Sequence, residues 1–199
     1  MPADSAPINL THHFLIAMPG LQDESFSGSV VYLCEHSQNG ALGLIINKPS
    51  DINLKRLFEK VDLPLRRADL SDAVVFQGGP VQTERGFVLH EPLASAQDGA
   101  VEAPYASTMV IPGGLEMTTS KDVLEALSTG AGPRRVLVSL GYSAWGEGQL
   151  ESEIGENAWL TVAADPSLIF ETPVEQRYER ALGLLGLQAW MLSPDVGHG

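Results

Sequence analysis

The sequence predicts an α+β domain rather than a regular doubly wound sheet. Strand-like runs joined by glycine-bearing turns dominate the first half, and strands alternate with helices later. No internal repeat or low-complexity segment breaks that pattern. With 199 residues, 44% hydrophobic and 19% charged, the chain is long enough to bury a core without a disulfide or metal staple. It is too apolar for disorder and too polar for a membrane protein. One domain over residues 10–192 is expected, with short tails at 1–9 and 193–199.

His13 to Met18 reads as a buried strand stopped by Pro19-Gly20. Ser29 to Glu35 and Ala41 to Asn47 are β-rich runs around Ser37-Gln38-Asn39-Gly40. Asn-Gly between two such runs signals a hairpin, because both residues tolerate positive φ. Leu54, Leu57, Phe58 and Val61 repeat at helical spacing, and Pro64 ends that helix. Ala73 to Gln77 is a strand running into Gly78-Gly79-Pro80, and Gly86 to His90 is the next. Residues 92–106 are poor in large apolar groups and read as a long loop. Thr108 to Ile111 and Glu116 to Thr118 flank Pro112-Gly113-Gly114, another turn. A helix opens at Thr119 or Ser120 and closes at Gly130. Arg135 to Leu140 is a strand, followed by a glycine-rich turn and a helix through about Ile154. Ala158 to Ala163 is the last strand. Thr172-Pro173-Val174-Glu175 combines an N-cap, a first-turn proline and a capping-box acid. The helix it opens presents Val174, Tyr178, Ala181, Leu182 and Leu185 on one face and ends at Gly186.

The net charge of -13 sets 12 basic side chains against 25 acidic ones. Nucleic-acid binding draws on lysine and arginine displacing phosphate counterions, so direct DNA binding and adhesion to anionic lipid are disfavoured. The exception is local: Lys48, Lys55, Arg56, Lys60, Arg66 and Arg67 fall within one short stretch. Lys55, Arg56, Arg66 and Arg67 form the basic patch that a phosphate backbone would meet; otherwise they are a solvated face balanced by Glu59 and Asp62. Cys34 is the one cysteine, which fits a reducing compartment. The N-terminus lacks the positive start of a signal peptide, and no window reaches the ~20 apolar residues of a membrane span. A cytoplasmic location without membrane contact is expected.

Gly141-Tyr142-Ser143-Ala144-Trp145-Gly146 lies where a hydrolase nucleophile elbow would lie, with Asp165 and His198 following in the order of that family's acid and histidine. The elbow needs G-x-S-x-G, however, and here the second glycine comes one residue late. Gly146 and Gly148 near a helix start resemble a phosphate cradle, but both nucleotide-loop signatures are absent and Glu147 and Glu151 would repel phosphate. Glu147, Glu151 and Glu153 are candidate paired carboxylates, or a solvated acidic face. The five histidines, His12, His13, His36, His90 and His198, show no zinc-like spacing, so no metal or cofactor is expected. Cys34 and His36 point to one side of their strand, about 6–7 Å apart along it. They form a thiolate–imidazole pair only if the strand bends. Arg85, His90, Ser143 and Trp145 are the candidates for a ligand cleft, with Arg85 holding an anion and Trp145 stacking on a ring.

Several strings together resemble the AlgH/YqgE family of bacterial proteins. They are His13-Phe14-Leu15-Ile16-Ala17-Met18-Pro19, Ser29-Val30-Val31-Tyr32-Leu33-Cys34-Glu35-His36, Gly43-Leu44-Ile45-Ile46-Asn47-Lys48-Pro49, Gly78-Gly79-Pro80-Val81 and Arg85-Gly86-Phe87-Val88-Leu89-His90. Leu140 to Gly146, Gly148-Gln149-Leu150-Glu151 and Asn157-Ala158-Trp159-Leu160 extend the match to roughly residues 10–190. Ser143 departs from the small non-hydroxyl residue expected there. The resemblance implies a branched, partly barrel-like mixed sheet surrounded by helices. It carries over no catalytic or binding residue. Members bear the label of transcriptional regulators, which reflects genetic context more than demonstrated chemistry. The functional expectation is a non-enzymatic regulatory or adaptor protein with protein partners. The alternatives are a small-ligand binder or enzyme near Ser143 and Trp145, and a direct DNA-binding regulator.

Overall fold

The computed structural model describes residues 9–21, 23–92 and 105–192. The expected tails apart from Asn9, most of the 92–106 segment and His198 lie outside the described residues. Ten strands are described: β1 (His13–Ala17), β2 (Val30–Ser37), β3 (Gly40–Ile45), β4 (Pro49–Asn53), β5 (Val74–Gln77), β6 (Val81–His90), β7 (Thr108–Ile111), β8 (Leu115–Thr118), β9 (Val136–Trp145) and β10 (Trp159–Ala163). The helices are α1 (Leu54–Lys60), α2 (Asp122–Ser128), α3 (Gln149–Gly155), α4 (Pro166–Phe170) and α5 (Arg177–Gly183). No helix among the described residues is long and apolar enough to cross a membrane.

The strands form one sheet in the order β10-β1-β2-β3-β9-β6-β8-β7, curled into a half-barrel, with β4 and β5 branching from it. The class and branching implied by the family resemblance are thus observed. The branch point is β9. One of its edges carries β6, from His90↔Val136 to Val81↔Tyr142. The other edge is divided. Val138–Leu140 pairs in parallel with Val75–Gln77 of β5, and Ser143–Trp145 pairs antiparallel with Gly43–Ala41 of β3.

Gly78 fills the crotch of this fork. Its amide donates to the Leu140 carbonyl at 2.9 Å, and its carbonyl accepts from the Ile45 amide at 2.9 Å and the Ser143 hydroxyl at 3.0 Å. The chain then crosses the β9 backbone at van der Waals contact. A Cβ on Gly79 would lie 2.2 Å from the Tyr142 carbonyl oxygen, and one on Gly141 would lie 2.6 Å from the Gly79 oxygen. Gly141 also holds φ at 78°, a region that side chains disfavour. The glycine pair that the sequence marks as a turn is therefore a backbone crossing.

Strand alternation supplies three apolar layers. Phe14, Tyr32, Ile46, Phe87 and Leu137 pack with Leu168 of α4 and Leu182 of α5. Leu15, Val31, Leu33, Trp145 and Trp159 pack with Leu150 of α3. Val75, Val88 and Val138 pack with Leu54 and Phe58 of α1 and Val123 and Leu127 of α2. Helices of about two turns are not stable alone in water. Burial of Leu54 and Phe58, roughly 2 kcal/mol each, holds α1 together with an Asn53 cap that accepts from the Arg56 amide.

Several local expectations change. The β2–β3 hairpin forms, but its two turn residues are Gln38 and Asn39, and the positive φ falls on Gly40 (134°). β9 runs unbroken through Gly141 to Trp145 where a turn was expected, because β3 takes over as its partner beyond the fork. Thr172 does not cap a helix. Its carbonyl accepts from Arg177 Nε, a 3₁₀ turn follows at Val174–Gln176, and α5 starts at Arg177. β4 and α4 carry no periodicity long enough to have been read from sequence.

The crossing predicts a sharp contrast between glycines. Gly79→Ala and Gly141→Ala each press a methyl group into backbone and lower stability by about 3 kcal/mol or more. Gly86→Ala, with nothing within 4 Å of its Cβ, stays within about 0.5 kcal/mol of wild type. Urea denaturation of the three variants measures this; equal losses would remove the crossing as the critical constraint.

Candidate functional site

The structure does not gather the four sequence-nominated ligand residues. Ser143 is fully buried inside β9 with its hydroxyl on the Gly78 carbonyl. Its supposed acid partner, Asp165, caps α4 by accepting from the Ser167 amide and hydroxyl. Trp145 is buried, and its indole donates to Glu153 Oε1 at 3.1 Å; Trp159 donates to the same oxygen at 2.9 Å, and Gln149 reaches Oε2 at 3.0 Å. Phe26 fills the remaining space, its ring centre 5.7 Å from Trp145 and 5.6 Å from Trp159. No face of Trp145 is left for a ligand ring. His90 is buried opposite Val136 at the far end of β9, about 30 Å along the strand from Trp145. Arg85 is exposed, bonded to Gln82 at 3.2 Å and lying over the Phe87 ring. Buried polar groups require partners, and here internal partners use up Ser143, Trp145 and His90.

Several of the other nominated groups are likewise occupied. Glu151 accepts from His36 Nε2 at 2.5 Å, while His36 Nδ1 accepts from the Leu10 amide. With Glu153 on the two indoles, the acidic residues of α3 are not a paired acid and base. A bulge at Leu33/Glu35 sets Cys34 and His36 on different sides of β2. Cys34 lies beside Met117 in the core, where burial pushes its thiol pKa up, so no thiolate–imidazole pair forms. Arg67 leaves the basic patch. It forms a bidentate pair with Asp69 and donates to the carbonyls of Pro133 and Arg134. Lys55, Arg56 and Arg66 remain exposed. Among the described residues, no three His, Cys, Asp or Glu side chains converge to hold a metal.

Two surface features stand out among the described residues. The first is a groove over the fork. One lobe, of about 400 Å³, is lined by Ser50, Asp51, Ile52, Lys60, Gln77, Gly79, Thr83 and Leu140. It shares Gln77, Gly79 and Thr83 with a second lobe of about 350 Å³ that adds Lys48, Glu24 and Ser25. The sequence signal for this groove is the Gly78-Gly79-Pro80 string that follows the Ala73–Gln77 strand. The second feature is an apolar corner after α5. Leu184, Leu185, Trp190 and Met191 are 42%, 38%, 59% and 40% exposed, beside a hollow lined by Glu179, Gly183, Gly186, Leu187, Gln188, Ala189 and Trp190. Leu185, expected on the buried face of its helix, lies instead past the end of α5.

His90 has a structural chemistry of its own. Its Nδ1 donates to the Glu91 carbonyl at 2.9 Å, so Nε2 accepts from the Thr118 hydroxyl at 2.7 Å, and Thr118 in turn accepts from Thr108 at 2.9 Å. The Tyr105 ring stands edge-on to it, and Glu116 faces it across the β6–β8 register. Burial lowers its pKa, partly offset by the Glu91 carbonyl and the Glu116 charge. On acidification the unfolded chain takes up this proton first. His90 therefore costs no stability above its ordinary value of about 6.5 and removes stability as pH falls below it. Burial also lowers the pKa of His12, helped by His13, and acts in the same direction. Melting temperature should fall from pH 7.5 to 5, and His90→Gln should flatten that fall. Parallel profiles for wild type and variant would assign the pH dependence elsewhere.

The AlgH-like family model matches residues 14–190. UPF0301 proteins of Polaromonas sp. and Variovorax paradoxus are 78% and 76% identical over 198 residues, covering 100% of each chain. The solution structure of the AlgH protein from Pseudomonas aeruginosa superposes with a TM-score of 0.75 at 45% identity, over 98% of this chain and 99% of that one. The crystal structure of protein DIP2367 from Corynebacterium diphtheriae shares the fold at 19% identity, with a TM-score of 0.68 over 91% of this chain and 90% of that one. With the family pattern running from residue 14 to residue 190 and relatives matching along its whole length, the chain belongs to the AlgH-like, UPF0301 family.

Proposed function

We propose that this chain is a non-enzymatic regulatory or adaptor protein that works through protein contacts made at its C-terminal corner. One observation carries the reading: among the described residues, four of the five large exposed hydrophobics fall between positions 184 and 191. Apolar side chains exposed together mark interaction surfaces, and tryptophan is over-represented among the residues that anchor them. The net charge of -13 favours a partner with an apolar docking centre and a basic rim. Any effect on transcription is then indirect. α1 is too short and too dependent on its core contacts to serve as a detached recognition helix, and Arg67 is committed to its own loop. A cytoplasmic setting belongs to the proposal, supported by the single buried cysteine.

The test is affinity purification from a native host, with and without nuclease, using wild type, Leu184→Ser/Trp190→Ser and Lys55→Gln/Arg56→Gln/Arg66→Gln. A partner should survive nuclease, persist with the basic-patch variant and drop about tenfold or more with the corner variant. Protein recovered alone from every sample would overturn the proposal. Capture lost on nuclease treatment and with the basic-patch variant would replace it with nucleic-acid binding.

A further inference from the structure

The fork groove carries an inference independent of the C-terminal corner. The 400 Å³ lobe has a partly apolar floor, with Ile52 and Leu140 beside the Gly79 backbone, and a polar rim of Ser50, Asp51, Lys60, Gln77 and Thr83. Its size falls in the range of small-molecule sites. Asp51 and Lys60 line the same lobe, yet neither forms an ion pair among the described residues. The adjoining lobe repeats the arrangement with Glu24 and Lys48, likewise unpaired. Lys48 directs one proton of Nζ to the Ser25 carbonyl at 2.8 Å, leaving two for another acceptor. Burial holds its pKa below the ordinary lysine value despite the nearby Asp23 charge, a penalty that a carboxylate beside it would relieve.

Two unpaired charges of opposite sign restrict what such a lobe can hold. A simple anion would satisfy the lysine while facing the carboxylate of Asp51, and a simple cation would reverse the conflict. The long-range field of a chain at net charge -13 further opposes a nucleotide or other polyanion. A molecule bearing one carboxylate and one ammonium group, with a short aliphatic body, meets both rim charges and the floor. We infer that the groove at the sheet fork binds a free amino acid or a comparably small zwitterion, with Lys60 facing its carboxylate and Asp51 its ammonium group. The glycine crossing beneath gives the floor a fixed backbone, so the ligand meets a site formed before it arrives.

The full chain, labelled with ¹⁵N, would be titrated with pools of the twenty free L-amino acids, and separately with inorganic phosphate and adenosine monophosphate. At least one amino acid should shift the amides of Gly79, Thr83 and Leu140 together. Its N-acetyl and carboxamide derivatives should bind about tenfold or more weakly, since each loses one charged hydrogen bond. Asp51→Asn and Lys60→Gln, both at exposed positions, should weaken binding similarly while leaving the melting temperature unchanged. The inference fails if no amino acid moves those amides, if the blocked derivatives bind as well as the parent, or if only phosphate or the nucleotide binds. None of these results depends on partner capture at the corner, so the two readings succeed or fail separately.

Discussion

The contact on which the rest of the structure depends is the crossing of two backbones at the fork of the sheet. Gly78 and Gly79 leave β5 and pass over Gly141 and Tyr142 of β9 at distances that leave no room for a Cβ. This close approach lets one edge of β9 serve β5 along its first half and β3 along its second. It also fixes the groove, because β5 ends and β6 begins on either side of the same glycines. A side chain here would have to displace main chain, and densely packed interiors do not yield that way.

A second theme is the internal use of polar side chains. Glu153 holds two buried indoles, His36 ties the chain at Leu10 to α3, and Ser143 supports the fork. Arg177 continues the pattern. It is buried over the Phe76 ring, donates to the carbonyls of Thr172 and Ile46, and has its pKa pushed down to about 10 by burial. A hydrogen-bonded polar group in the interior fixes geometry, and one left without a partner costs about 1–3 kcal/mol. Residue types that read as chemistry in a linear sequence serve in this fold as cross-links between elements.

The surface follows a different logic. Salt bridges are sparse among the described residues; apart from the His36–Glu151 contact they sit toward the periphery, where Arg135 spans Glu91 and Glu171 and Arg67 grips Asp69. Exposed pairs of this kind contribute little, typically about 0–1 kcal/mol. What distinguishes the surface is where it departs from a solvated acidic shell. Mixed unpaired charge collects over the fork, and bare apolar groups collect after α5. The two features lie on different elements.

The sequence by itself determined the α+β class, the hairpin of β2 and β3, and the approximate positions of most strands and helices. Each of these rests on periodicity or turn chemistry that acts between near neighbours, as in Leu54–Phe58 or Gln38–Gly40. It also determined, through strings such as Gly78-Gly79-Pro80 and Leu140 to Gly146, the family to which the chain belongs. Only the tertiary structure decided that β9 continues through Gly141, that the bulge parts Cys34 from His36, and that Ser143, Trp145 and His90 point into packed interiors. Those outcomes depend on which strand takes each edge of β9 and which carboxylate reaches each buried donor. Partners such as Ser143 and Gly78 lie 65 positions apart in sequence, and no local pattern records a contact at that distance.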